Sequence, residues 1–184
     1  MLNGKLNVRG GVSFAYPAGG CQMKRVRVLI VDDEPDVLVI LNDLLRFHLV
    51  DPLVDTARSG TAALALIRRH DYDLVISDVL MPDMDGFTLT GKVGAVRPNT
   101  PTILVTAHGD GDVGVRAMNS GAYAFVTKPI DHEYLMAWVA RAIHMGRLGR
   151  NLESQRNALR RETEVLQRAN LALHEAIEKH RSHE

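Results

Sequence analysis

The chain has 184 residues, 22 Lys+Arg against 22 Asp+Glu and so no formal net charge, and 46% hydrophobic residues. That neutrality excludes a protein that holds nucleic acid by overall positive charge, and the longest apolar runs, such as Val28-Leu29-Ile30-Val31, fall far short of the roughly 20 residues of a membrane span. Cys21 is the single cysteine; it cannot form an internal disulfide, which points to a reducing compartment, the cytoplasm.

In chain order, residues 1–22 are glycine-rich and without periodicity, and they read as a disordered leader. Glycines and Pro17 break any apolar stretch that could act as a signal peptide, and Ala18-Gly19-Gly20-Cys21 lacks the apolar run a lipoprotein cleavage box needs. Met23, just ahead of Lys24-Arg25, reads as an alternative start. From there short apolar runs alternate with amphipathic segments. Val26–Val31 reads as a buried strand, and Asp33-Glu34-Pro35 opens a helix with acidic residues and a proline where a first turn tolerates them. Val37, Leu38, Ile40, Leu41, Leu44, Leu45 and Leu49 carry helical spacing to about His48. A second strand follows over Leu53–Ala57, then a helix from Ser59 with Ala62, Ala63, Leu66 and Ile67 inward. Leu74–Ile76 is a third strand and Gly86–Val96 a third helix. Thr102–Thr106, a helix over Asp110–Asn119, Tyr123–Thr127 and a helix from Asp131 to about Met145 complete five strand-helix repeats. Such repeats predict an α/β fold, a parallel sheet with helices on both faces.

Ligands of such sheets bind at the carboxyl ends of the strands. Asp32 and Asp33 follow the first strand, Asp78 the third, Thr106 ends the fourth, and Lys128-Pro129 follows the fifth. Three carboxylates, a hydroxyl and an ammonium therefore meet at one edge. Crowded carboxylates repel unless a cation joins them, and a few oxygens with room for water suit Mg²⁺. Taken singly, each residue has an ordinary reading: Asp32-Asp33-Glu34 as favourable charge at a helix N-terminus, Asp78 as a turn cap, Thr106 as a strand residue, Lys128 as a solvated charge. Asp83 and Asp85 read as turn residues beside Gly86.

Val28-Leu29-Ile30-Val31-Asp32-Asp33-Glu34, Ser77-Asp78-Val79-Leu80-Met81-Pro82-Asp83-Met84-Asp85-Gly86, Thr106-Ala107 and Lys128-Pro129, in this order, resemble a CheY-like receiver domain of two-component response regulators. The resemblance covers about residues 24–146, within a receiver domain expected over 23–146. It implies a flavodoxin-like, doubly wound (βα)5 fold with strand order 2-1-3-4-5 and a phosphorelay function without enzymatic turnover beyond the domain's own phosphorylation and dephosphorylation. Asp78 would accept a phosphoryl group from a histidine kinase or phosphotransfer protein. Asp32, Asp33, Asp78 and the backbone carbonyl of Leu80 would hold Mg²⁺, Lys128 would pair with phosphoryl oxygens, and Thr106 would donate its hydroxyl to them. Phe125 stands at the family's aromatic switch position, and Lys128-Pro129 is a cis bond in family members. Leu80 and His108 occupy places that modulate hydrolysis of the phosphoryl group, and an apolar residue and an imidazole there leave its lifetime open. Dimerisation through the face of the fourth helix, fifth strand and fifth helix is a further implication. A haloacid-dehalogenase-like phosphatase also uses an Asp nucleophile with Mg²⁺, but it carries Asp-x-Asp where this chain has Asp32-Asp33. A flavin carrier would replace the acidic first loop with Gly, Ser and Thr.

Residues 147–184 change character. Leu152, Leu159, Leu166 and Leu173 recur every seventh residue, the spacing of a coiled-coil seam. With these at d, the a positions are Gly149, Arg156, Thr163, Asn170 and Ile177, a weak set that predicts a conditional coil. The competing reading is a single amphipathic helix folded back on the receiver. Glu164–Leu173 resembles the signalling helices that join receivers to downstream domains. The expectation is a phosphorylation switch whose helical tail dimerises or docks on a partner, with no direct binding of nucleic acid or membrane. The alternative is a receiver-plus-linker fragment or adaptor arm of a larger kinase or cyclase regulator.

Overall fold

The computed structural model describes residues 4–7, 13–16, 25–107 and 111–181. Two short strands, β1 (Gly4–Asn7) and β2 (Ser13–Tyr16), pair antiparallel with Gly4 opposite Tyr16 and Asn7 opposite Ser13. Over residues 4–7 and 13–16 this departs from the expectation of a disordered leader. Lys5-Leu6-Asn7-Val8 and Val12-Ser13-Phe14 alternate apolar with polar residues, a short strand pattern that the overall glycine content conceals.

The main sheet comprises β3 (Arg27–Val31), β4 (Leu53–Ala57), β5 (Leu74–Asp78), β6 (Thr102–Thr106) and β7 (Ala124–Thr127), all parallel, in the order β4-β3-β5-β6-β7. This is the expected 2-1-3-4-5 order of a flavodoxin-like fold. β5 and β6 are buried along their whole length, because helices cover both faces of a parallel sheet. Successive residues serve opposite faces. Val28, Ile30, Ile76, Ile103 and Val105 pack with Leu38, Leu41 and Leu45 of α1 (Pro35–His48) and with Leu135, Val139 and Ile143 of α5 (His132–Arg181). Leu29, Val31 and Val75 face the other way, onto Ala63 and Ile67 of α2 (Gly60–Arg69) and Leu89 and Val93 of α3 (Gly86–Val96). A smaller cluster of Val79, Phe87 and Leu104 receives Ala117 of α4 (Gly111–Asn119).

Two inward assignments change. Ile40 lies on the outer face of α1 at 54% exposure. In α2, Ala62 is exposed and Leu64 is buried instead. Ser59 caps α2 by accepting the Ala62 N–H at 3.1 Å, and from that start the stripe facing the sheet runs Gly60, Ala63, Leu64, Ile67.

The chain divides into two compact units, residues 1–147 and 148–184. Within the second, Leu152, Leu159, Leu166 and Leu173 lie in α5 and are between 58% and 64% exposed. Among the described residues no helix is long and apolar enough to cross a membrane.

Candidate functional site

At the carboxyl edge of the sheet, β3 delivers Asp32, β5 ends in Asp78 and β7 runs into Lys128. Asp32 and Asp78 are buried, at 1% and 7% exposure, and the ammonium of Lys128 joins them. Its Nζ lies 2.8 Å from Asp78 Oδ1 and 3.3 Å from Asp32 Oδ2, and it also reaches Glu34 Oε1 at 3.8 Å. The other oxygens are held by the backbone: Asp32 Oδ1 accepts the Glu34 N–H at 2.9 Å and Asp78 Oδ2 accepts the Leu80 N–H at 2.6 Å. Two central strands and the β7–α5 loop thus converge on one cation.

The charges do not balance. Burial, the largest influence, pushes the Asp32 carboxyl above the usual aspartate value, and the neighbouring Asp78 charge adds to this; the Glu34 N–H and Lys128 pull it back. Burial likewise disfavours the Lys128 ammonium, but the hydrogen bond and charge of Asp78, followed by those of Asp32, outweigh it and hold Lys128 above its ordinary value. A surplus of negative charge on carboxylate oxygens remains, and hard oxygen donors of this kind suit a small divalent cation such as Mg²⁺. The residues therefore fit that ion. Among the described residues no three carboxylate, imidazole or thiol groups are already gathered round one point. Asp33 is half-buried, and its carbonyl accepts from Arg58 Nη2 at 3.3 Å.

Thr106 is buried at the end of β6, and its carbonyl accepts the Lys128 N–H at 2.7 Å, which fixes the start of the lysine loop. The Lys128–Pro129 peptide is cis. Phe125 pairs in register with Leu104, two residues before Thr106 pairs with Thr127, so Thr106 and Phe125 share one face of the sheet. The Phe125 ring is 37% exposed and lies against Gly114 of α4, where a Cβ would stand 3.4 Å from its Cζ. The Leu80 side chain is 61% exposed. His108 lies outside the described residues.

The loop after Asp78 is fastened to three helices. Asp83 accepts the Gly60 and Thr61 N–H groups at 3.1 and 2.9 Å, capping α2 from outside its own chain segment. Those hydrogen bonds, the Thr61 N–H foremost, hold its carboxyl down to about 2. Asp85 caps α3 by accepting the Thr88 N–H at 2.7 Å. Arg116 of α4 approaches Asp85 at 3.7 Å and stacks over the Phe87 ring at 4.3 Å. Gly86 sits against the end of β5 itself: a Cβ there would fall 2.3 Å from the Asp78 carbonyl oxygen and 3.0 Å from Leu104 Cδ2. Glu34, read only as charge at a helix N-terminus, reaches the Lys128 ammonium, and Asp83, read only as a turn residue, caps α2. The acidic triplet pointed to the first; nothing local pointed to the bond from Asp83 to α2.

The family model of the response regulator receiver domain matches residues 28–140. The transcriptional regulatory protein GlrR of Escherichia coli (strain K12) is 40% identical over 112 residues, which cover 61% of this chain and 25% of that protein. The C4-dicarboxylate transport transcriptional regulatory protein DctD of Rhizobium meliloti (strain 1021) is 37% identical over 139 residues, 76% of this chain and 30% of that protein. The chain thus spans 25% to 30% of the length of these two relatives. Among solved structures, the signal receiver domain of an HD domain-containing protein from Pseudomonas fluorescens Pf-5 superposes with a TM-score of 0.63 at 32% identity, covering 67% of this chain and 98% of that one.

Proposed function

The chain belongs to the response regulator receiver family of two-component signalling, and from that membership we propose that Asp78 is its phosphoacceptor. The observation that carries the reading is the Lys128 ammonium held 2.8 Å from one buried carboxylate and 3.3 Å from another at the carboxyl edge of the sheet. An Asp78 oxygen attacks the phosphorus of a phosphohistidine on a kinase or phosphotransfer protein; the P–O bond forms, the P–N bond breaks, and the imidazole leaves with a proton. Negative charge accumulates on the transferring oxygens, so catalysis here is neutralisation and positioning. Lys128 supplies a compact positive charge that turns from the Asp78 carboxylate to the phosphoryl oxygens. Asp32, Asp33, Asp78 and the Leu80 carbonyl would hold Mg²⁺, which when bound neutralises charge on the phosphoryl group. Leu80 N–H, already on Asp78 Oδ2 at 2.6 Å, keeps the attacking carboxylate oriented. The Thr106 hydroxyl engages the phosphoryl group, and Phe125 follows through the shared sheet face towards α4. The output is a changed surface over α4, β7 and α5 and a tail that pairs with a second copy through its leucine stripe.

The test is phosphorylation by a small phosphodonor with Mg²⁺, read as an added phosphoryl mass on the intact protein. The native chain gains one group, Asp78→Asn gains none, and Lys128→Ala is modified but shows little change in the fluorescence of Trp138, which packs edge-on against Tyr123 and Tyr134. Modification of the Asp78 variant to the native level would overturn the assignment.

A further inference from the structure

α4 is held to the receiver by little apolar surface. Of its residues 112–119 only Ala117 is buried; Val113 and Gly114 are half-buried and the rest are exposed. Ala117 enters the small cluster of Val79, Phe87 and Leu104. Gly111 and Gly114 both stand within the helix, and glycine is the poorest helix former after proline. The Phe125 ring takes the room beside Gly114, 3.4 Å from where a Cβ would stand. Burial and helix propensity therefore contribute little to fixing this helix.

Arg116 brings polar attachment to the same element. Its guanidinium lies 4.3 Å over the centre of the Phe87 ring, and Nη2 faces Asp85 Oδ2 at 3.7 Å. Phe87 is buried, so the ring is a fixed platform for the cation. The Asp85 carboxylate is shared between two helices: Oδ1 accepts the Thr88 N–H at 2.7 Å and caps α3, while Oδ2 turns to α4. Burial, the largest influence, would raise the Asp85 carboxyl, but the hydrogen bonds of Thr88 and the charge of Arg116 hold it below the usual aspartate value. An exposed ion pair alone is worth little. Here one ordered side chain makes both the ion pair and the stack on the aromatic face, so its entropy is lost once for two attractions.

We infer that Arg116 is the positioning residue of α4: its guanidinium, clamped between the Asp85 carboxylate and the Phe87 ring, sets how often α4 parts from the sheet. Asp85 closes the loop that begins after Asp78, so the clamp ties α4 to α3 at that loop. The inference stands on the geometry of the clamp and not on modification of Asp78, and it goes beyond the phosphoacceptor reading.

Amide hydrogen exchange on the full-length, unmodified chain tests it, with residues 112–119 compared against β5 and β6 as internal references. Arg116→Gln should speed exchange over 112–119 about tenfold as local opening becomes more frequent, while the reference strands change by less than about threefold. Asp85→Asn keeps a side-chain oxygen for the α3 cap but carries no charge; it should speed exchange of α4 about threefold and leave α3 at its native rate. Because Asp85 acts on α4 through Arg116, the double variant should exchange no faster than Arg116→Gln alone. Arg116→Lys, which keeps the cation without the planar fork, should recover part of the protection. The inference is overturned if Arg116→Gln leaves 112–119 at the native rate, or if the reference strands accelerate by the same factor, since the residue then merely supports the fold. Native exchange of α4 in Asp85→Asn, or a double variant in which the two single effects multiply, also overturns it, because the two residues then act separately. So does an Arg116→Lys protein that exchanges as fast as Arg116→Gln, because the charge then plays no part.

Discussion

Alanine at Gly86 and alanine at Gly94 are the same chemical change in the same helix, yet they should act with opposite sign. At Gly94 nothing lies within 4 Å of the added Cβ, so the substitution gains helix propensity and stabilises by about 0.5 to 1 kcal/mol. At Gly86 the Cβ would stand 2.3 Å from the Asp78 carbonyl oxygen and 3.0 Å from Val79 Cα, both backbone atoms of the strand end. Ordinary contact requires about 1 Å more separation, and a close-packed interior yields poorly. Overpacking of this kind costs about 1 to 3 kcal/mol and sometimes more; with backbone on the receiving side the upper end applies. The Gly86 N–H, bonded to the Val79 carbonyl at 2.9 Å, moves with it. The two variants should therefore differ by about 3 to 4 kcal/mol in urea unfolding, measured with equal slopes so that the shift in midpoint reports stability. Gly86→Ala should also slow phosphorylation, because the strand end that bears Asp78 is what moves. A Gly86→Ala protein as stable as the native one would show that α3 can withdraw from β5 and that the close approach is not a constraint.

Lys128→Met removes the cation between two buried carboxylates, a loss of about 2 to 4 kcal/mol by analogy with other broken buried pairs. Mg²⁺ should raise the melting temperature of this variant more than that of the native chain, and a melting curve without any Mg²⁺ dependence in either would count against the metal reading. Asp83→Ala removes the hydrogen bonds that supplement the Ser59 cap of α2 and should cost about 1 kcal/mol near neutral pH. The Asp83 carboxyl is lowered from 3.8 to about 2 in the folded protein, so its contribution is complete above the unfolded value and lost as pH falls through the folded one; the gap between variant and native protein in urea should narrow from pH about 4 towards 2. For the tail, the proposed pairing predicts a native sedimentation mass of two chains that Leu159→Glu together with Leu166→Glu lowers to that of one; a native mass of one chain would refute the pairing, and a mass unchanged by the substitutions would place the contact elsewhere.

Asp32, Asp78 and Lys128 were legible because each directly follows or ends an apolar strand, and in a parallel sheet all such positions gather at one edge. Periodicity decided the strands for the same reason: Val28, Ile30 and Leu29, Val31 have no choice but to serve two buried faces. The phase of α2 was less accessible. Moving an inward residue by one position turns the helix by about 100°, and only packing against the sheet and α3 settles that Leu64 rather than Ala62 turns inward. Contacts between a side chain and the backbone of a distant segment leave no local trace. Asp83 looks like any turn residue until α2 is brought beside it. The strand pair over residues 4–7 and 13–16 was written in alternation too short to stand out against the neighbouring glycines.

The fastening of residues 79–85 has a consequence for grafting. With Asp83 gripping α2, Asp85 seated on α3 and Arg116 of α4 resting on Asp85 and Phe87, the length of that loop is a shared dimension of three helices. A chimera joined inside it would have to match all three neighbours at once, and even a one-residue insertion would break at least one of them. A crossover ahead of Ser59 or beyond Arg116 leaves the whole junction to one parent, and that is where exchange between receivers should be made.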